Sequence, residues 1–261
     1  VDRRYQLFPT PAVTMSVALA AVVGLATLFE ARTAATSDES ADVLIQRVVE
    51  QNSRMDLTVR GTRELRAGTV AGKHLGWMRV TTTRLPGEFS WRVVEQGGSE
   101  RTRNRVLRAL LDGEVETTRA GRSEAAIHPA NYSFSPHATD RFGNIQIRLT
   151  PRRADPTLVD GVLTVRRDGS PLRLEGKLAK SPSFWVKSAT IVRHYDRFAG
   201  VALPTSVESL ADLRMFGRAT LTMRYSYIEV NGARVFHTVT AAPFVGPTAE
   251  ILALHGSGIE Q

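Results

Sequence analysis

The sequence predicts a mainly β protein of the α+β class, a long antiparallel meander with one apolar face on which two amphipathic helices lie. Three observations carry this. From Asp56 to Glu229 most segments alternate apolar and polar side chains with period two, the spacing of a half-buried strand. Short turns part these segments, and two of them, Asp168-Gly169 and Asn231-Gly232, have residue types that accept the positive φ of a tight hairpin. Two other stretches repeat at helical spacing instead.

At the start, residues 1–35 are expected to be a signal peptide or membrane anchor. Arg3 and Arg4 supply a basic start, 17–29 an apolar core, and Thr33, Ala34 and Ala35 the small residues of a cleavage site, beside Glu30 and Arg32. Uncleaved, the uncharged run 11–29 is long enough to span a bilayer and to hold the rest at the inner membrane; cleaved, the rest is released to the periplasm. Initiation at Met15 would remove the basic start. Residues 36–235 are expected to form one domain and 236–261 a less regular extension.

A helix is expected over 41–54, where Leu44, Ile45, Val48 and Val49 share a side, Ser37 or Ser40 caps the start, and Asp38, Glu39 and Asp42 suit its positive end. Strands follow at 57–65, 76–85 and 89–95; in the third, Phe89, Trp91 and Val93 lie opposite Ser90 and Arg92. After the Gly97-Gly98-Ser99 break a second helix is expected over 100–111, with Val106, Leu107, Leu110 and Leu111 as its apolar stripe and Asp112-Gly113 as its stop. A short helix is expected around 121–126. Beyond Pro129 the expected strands are 144–150, 161–167, 171–179, 185–195, 205–213 and 218–229. Alternation there is clear, as in Ile145, Ile147 and Leu149, or Ala219, Leu221, Met223 and Tyr225. Consecutive strands with short loops make an antiparallel meander with one apolar face. That face is larger than two short helices cover, which raises a lipid-sized cavity.

The net charge is +8, and residues 1–35 hold three arginines against two carboxylates, so the remainder keeps +7. Such a balance favours anionic partners, an anionic membrane surface among them. Alternating charges such as Arg173, Glu175 and Lys177 read as a solvated sheet face. Arg101, Arg103, Arg105 and Arg108 cluster on the second helix but belong to no nucleic-acid reading motif, so no nucleic acid is expected. The chain has no Cys, which removes disulfides, thiolate metal sites, Cys nucleophiles and a lipobox together.

Catalytic motifs are absent, so no enzyme activity, catalytic residue, metal or cofactor is expected. Residues 68–73 approach a phosphate-binding loop, yet the glycine spacing is one residue short and His74 stands where Ser or Thr is required; Lys73 reads as a turn residue. The six histidines are scattered. His194 with Asp196, and His137 with Asp140, read as exposed pairs; a hydrolase would need such groups to converge with a nucleophile.

Several phrases carry a family resemblance: Leu149-Thr-Pro-Arg-Arg153, the strand at 161–167, Arg173-Leu-Glu-Gly-Lys-Leu-Ala-Lys-Ser-Pro-Ser-Phe-Trp-Val186, Leu203-Pro-Thr-Ser206 and Gly217-Arg-Ala-Thr-Leu-Thr-Met223. Over residues 41–229 the chain resembles bacterial outer-membrane lipoprotein-sorting proteins of the LolA/LolB-like superfamily. The resemblance implies a strongly curved antiparallel half-barrel sheet closed by lid helices over an apolar cavity. It also implies a non-catalytic envelope protein that binds lipid or lipoprotein acyl chains, with the lid helices moving aside. The alternative is an envelope interaction or stress-sensing regulatory module that recognises a partner protein. Strand alternation nominates Trp77, Phe89, Trp91, Ile147, Leu221 and Met223 as cavity residues.

Overall fold

The computed structural model describes residues 41–52, 57–120, 127–215, 217–237 and 251. The expected signal or anchor, the expected short helix at 121–126 and most of the expected extension lie outside them.

Period-two alternation becomes one antiparallel sheet of eleven strands. They are β1 (Val59–Thr69), β2 (Gly76–Leu85), β3 (Glu88–Gly98), β4 (Tyr132–Thr139), β5 (Ile145–Pro151), β6 (Val159–Val165), β7 (Pro171–Leu178), β8 (Val186–Phe198), β9 (Val201–Leu213), β10 (Gly217–Val230) and β11 (Ala233–His237). The spatial order is β3-β2-β1-β10-β9-β8-β7-β6-β5-β4, with β11 paired to the end of β10. β3 and β4 are the free edges, so the sheet is an open half-barrel. Seven strands from β4 to β10 follow one another as hairpins, while β1 joins β10 across the length of the domain, Val59 opposite Val230.

Among the described residues two helices lie on the concave side of the sheet. α1 (Ala41–Asn52) matches its expected place to within two residues. The second, α2, runs without a break through Glu100–Thr102, the π-helical turn Arg103–Arg108, and Ala109–Arg119. Ser99, the last residue of the glycine-serine break, caps it by accepting the Thr102 amide. Asp112-Gly113 does not stop α2: Gly113 is buried inside the helix, and the following Glu114 is held by the sheet, which outweighs the local preference for a stop. α2 connects the two edges of the sheet, leaving β3 at one rim and delivering the chain toward β4 at the other.

The backbone approaches itself most closely between β6 and β7, where Gly161 and Gly176 are opposite each other. A Cβ on Gly161 would stand 1.9 Å from the Glu175 carbonyl oxygen, and one on Gly176 would stand 2.2 Å from that of Asp160. Only glycine fits both positions. At the neighbouring β6–β7 turn, the Asp168 carboxylate accepts from the Ser170 amide and hydroxyl and from Arg197, and Gly169 has φ +81°, as the hairpin reading anticipated.

Apolar side chains form two large clusters on one face. In the first, Leu107, Leu110 and Leu111 of α2 pack on Leu65, Met78, Val80, Leu221 and Met223. In the second, Leu44 and Val48 of α1 pack on Ile147, Leu149, Leu163, Leu174 and Tyr132. Both helices therefore cover the concave side. A small third cluster, Val192, Leu210 and Ile251, lies on the other face.

Candidate functional site on the concave face

Strand pairing aligns one side chain from each of ten strands into a row across the concave face. From β3 to β4 it reads Gln96, Met78, Leu65, Met223, Val207, Arg193, Leu174, Leu163, Ile147 and Pro136. Eight of the ten are apolar. The exceptions are Gln96 at the rim and Arg193 near the middle, where the cluster under α2 meets the cluster under α1.

Beside this row the interior is polar in a selective way. Arg63 of β1, buried on the concave face, donates through both terminal nitrogens to the Glu114 carboxylate of α2 at 2.5 and 3.0 Å. Its guanidinium also lies 4.7 Å from the Phe89 ring centre and 5.0 Å from that of Tyr225. Arg84 of β2 approaches the same carboxylate at 3.6 Å. Burial works against the charge of Arg63, but the nearby carboxylate more than offsets it and its pKa rises. For Arg84 burial prevails over Glu114, the like charge of Arg63 adds to it, and the pKa falls.

Tyrosines fill the rest. Tyr227 donates to the Pro204 carbonyl at 2.6 Å, Tyr132 accepts from the Val159 amide at 3.0 Å, and the Tyr225 hydroxyl donates to the Met223 sulfur at 3.9 Å. Burial pushes Tyr132 and Tyr225 up to about 12 and Tyr227 well above the ordinary phenol value, although the Arg193 charge pulls all three the other way. Among the described residues the enclosed space here is small: a cavity of about 20 Å³ bounded by Arg63, Thr82, Arg84, Phe89, Tyr225 and Tyr227. That is room for about one water molecule.

Of the residues nominated from sequence, Phe89, Leu221 and Met223 sit on the concave face in the α2 cluster. Trp91 packs against that cluster, with the Arg108 guanidinium 5.8 Å from its ring centre. Ile147 lies under α1. Trp77 is placed apart from them: Met78 and Val80 take the inward parity of β2, and the indole of Trp77 covers Gly97 on the convex side, within 2.9 Å of where a Cβ would stand.

The remaining motifs are absorbed by structure. Thr69 and Lys73 close the β1–β2 turn, the Lys73 amide donating to the Thr69 hydroxyl at 3.0 Å. Asp140 caps the β4–β5 turn by accepting from the amides of Phe142 and Asn144. His194 and Asp196 flank inward-facing Tyr195 and so lie on the convex side, where Asp196 is 3.7 Å from Arg166. On α2, Arg103 binds the Gly98 carbonyl and Arg108 the Gln96 side chain. Among the described residues no group of three metal-ligating side chains forms, and no helix is long and apolar enough to cross a membrane.

No family model matches the sequence, and no curated protein matches it either. Among solved structures, the likeness is to LolA-superfamily proteins. A LolA superfamily protein from Nitrosomonas europaea is 11% identical, with 80% of this chain and 98% of that one covered at a TM-score of 0.42. A domain named for outer membrane lipoprotein sorting, from Vibrio parahaemolyticus, is 10% identical over 72% of this chain and 90% of its own, at 0.41. A DUF1329 family protein from Desulfovibrio piger is 12% identical over 80% and 96%, at 0.33.

Sequence reading passed over Arg63, Arg84, Glu114, Arg193 and the tyrosines Tyr132, Tyr195 and Tyr227, and took Tyr225 only as part of an apolar strand face. A signal was present for two of them. Arg63 shares parity with Leu65, and Arg193 with Ile191 and Tyr195, so each is a charge on the apolar side of its strand.

Proposed function

We propose that this chain is a non-catalytic cell-envelope protein that holds a lipid or lipoprotein acyl chain between the concave face of the sheet and its covering helices. The observation that carries the reading is the apolar row from Met78 to Ile147, lidded by two helices that are fastened very differently. α2 is held by an internal ion pair as well as by Leu107, Leu110 and Leu111. Among the described residues α1 contributes two buried side chains, Leu44 and Val48, with Ile45 packed beside them. An element with few buried contacts opens first. Lifting α1 uncovers Ile147, Leu163 and Leu174, and Met223 and Leu221 continue the surface toward Phe89 and Trp91. Each methylene buried there contributes about 0.8 kcal/mol, so an ordinary acyl chain binds without a specific polar contact.

Delivery or loading takes place at an anionic membrane surface in this reading. Three adjoining turns, β1–β2, β7–β8 and β9–β10, meet at one end of the sheet, tied by the Val70 amide to the Arg218 carbonyl and the Arg214 amide to the Trp185 carbonyl. They carry exposed Lys73, Lys180, Lys187, Arg214 and Arg218 around exposed Phe184 and Met215. Export through residues 1–35, to the periplasm or to an inner-membrane anchor, belongs to the same proposal.

The near-filled interior favours a second reading, in which the chain is an envelope interaction or stress-sensing module that recognises a partner protein. Native mass spectrometry of the purified chain separates the two. Co-purifying lipid, together with displacement of a neutral apolar fluorophore by lipid, is expected for the acyl-chain reading. A lipid-free chain that neither binds the fluorophore nor takes up lipid from vesicles would favour the partner-protein reading.

A further inference from the structure

Two arginines are buried on the concave face, and their circumstances differ. Arg63 is 8% exposed and fully engaged by Glu114. Arg193 is 3% exposed, yet among the described residues no carboxylate lies within ion-pairing distance. Its one hydrogen bond runs from Nη1 to the Tyr195 hydroxyl at 3.3 Å. Among the described residues Nε and Nη2 are buried without a hydrogen-bond partner, and the guanidinium lies 6.0 Å from the Tyr195 ring centre. A buried cation with idle donors is strongly unfavourable unless something else compensates it, so such a residue needs a function to account for it.

Its position is equally specific. Arg193 pairs across the sheet with Val207 on one side and Leu174 on the other, the point at which the two apolar clusters join. Leu174 belongs to the surface that α1 covers through Leu44 and Val48. The Tyr225 hydroxyl, whose charge state responds to Arg193, has only a thioether partner and is a second donor facing the same interior.

We propose that Arg193 is an anion-recognising residue: it receives the oxyanion headgroup, carboxylate or phosphate, of an amphiphile whose acyl tail lies along the neighbouring apolar row. A guanidinium presents its donors as a fork that matches a carboxylate or phosphate oxygen pair. Nε and Nη2, the two idle nitrogens, form one edge of that fork. This deepens the acyl-chain reading and rests on it, adding the chemistry of the head to that of the tail.

The test compares three ligands with the same twelve-carbon tail, laurate, dodecyl phosphate and dodecanol, each displacing the neutral fluorophore N-phenyl-1-naphthylamine from the full chain. The wild-type protein is expected to prefer at least one of the anions over dodecanol by roughly 10- to 100-fold, the range of a charge-assisted hydrogen-bonded pair. Whichever anion is preferred identifies the head. Arg193→Met is expected to bind all three alike, and Arg193→Lys to keep part of the preference. Arg193→Met is also expected to unfold at higher urea than the wild type, because it removes an unpaired buried charge. Equal wild-type affinity for dodecanol and both anions would overturn the headgroup assignment while leaving the acyl-chain reading in place. An undiminished anion preference in Arg193→Met would do the same. Failure of the fluorophore and of all three ligands to bind would remove both. The wild-type comparison stands whether or not a variant folds.

Discussion

Arg63 on β1 and Glu114 on α2 form a two-point ion pair inside the protein, with nitrogen-oxygen distances of 2.5 and 3.0 Å. It ties the helix that crosses the half-barrel to a strand in the middle of the sheet. Arg84, about a fifth of its side chain exposed, approaches the same carboxylate at 3.6 Å, so Glu114 faces a buried and a half-buried cation together.

Removing that carboxylate leaves buried Arg63 uncompensated and half-buried Arg84 without its ion pair. Glu114→Ala is therefore expected to destabilise the chain by about 3–5 kcal/mol in equilibrium urea unfolding. The double replacement Arg63→Met with Glu114→Leu removes both charges and is expected to cost far less than the two single changes added together. Strict additivity in this cycle would show that the pair is not coupled.

Gly161 and Gly176 give a steric prediction. Alanine at 161 must displace backbone, not a flexible side chain, so Gly161→Ala is expected to lose on the order of 3 kcal/mol. Gly217 has φ +71° with nothing within 4 Å of its would-be Cβ, so Gly217→Ala meets only the left-handed backbone penalty, roughly 1–2 kcal/mol. A thermal melt of the two variants side by side ranks them; the reverse order would mean that β6 and β7 separate easily.

The buried tyrosines set the alkaline limit. Tyr132 and Tyr225, raised by burial to about 12, keep their protons in the folded state beyond the pH at which the unfolded chain loses them. Their contribution is complete below about pH 10 and is lost as the pH climbs toward 12, on the order of 2–3 kcal/mol for each. Phenolate absorbance is expected to grow in step with loss of circular dichroism. Full ionisation of all tyrosines near pH 10 in a chain that stays folded would contradict the burial.

At the cationic end of the sheet, Phe184 and Met215 are 72% and 69% exposed, so replacing them with serine leaves the core intact. The double variant is expected to bind anionic vesicles at least about 10-fold more weakly in a flotation assay, since each apolar side chain gains on the order of 1.5–3 kcal/mol when fully buried. Neutral vesicles are expected to bind weakly throughout, and added salt to release both proteins. Equal binding by the variant and the wild type would place the membrane contact elsewhere.

Much of this architecture was legible because strand parity is a local property. Ile145, Ile147 and Leu149 declare a face among five residues, and Asp168-Gly169 declares a hairpin in two. Two strands were missed for the same local reason. β4 alternates weakly, Ser133, Pro136 and His137 being poor strand residues, and Pro129 obscured its start. β11 is short and follows a turn that was read correctly. The ion pair was not legible, because Arg63 and Glu114 are 51 residues apart and nothing in either neighbourhood names the other. Trp77 shows the converse limit: strand alternation nominated it for the interior, but Met78 and Val80 hold the inward parity of β2. Arg193 was readable in principle, since a cation on the apolar parity of a long strand is rare enough to stand out.

The strand order also sets a timetable for folding. β4 to β10 are joined by short hairpins, so each pairing closes a small loop and forms early. β1 pairs locally with β2, and β2 with β3, but its other edge waits for a partner that follows it by about 170 residues along the chain, Val59 for Val230. A chain emerging amino end first thus presents β1 before any of the seven-strand meander exists. Its last step is the docking of the earliest-made hairpins onto β10. Until then the edge of β1 that pairs with β10 remains open, and it is in that interval that the nascent chain most needs protection from aggregation.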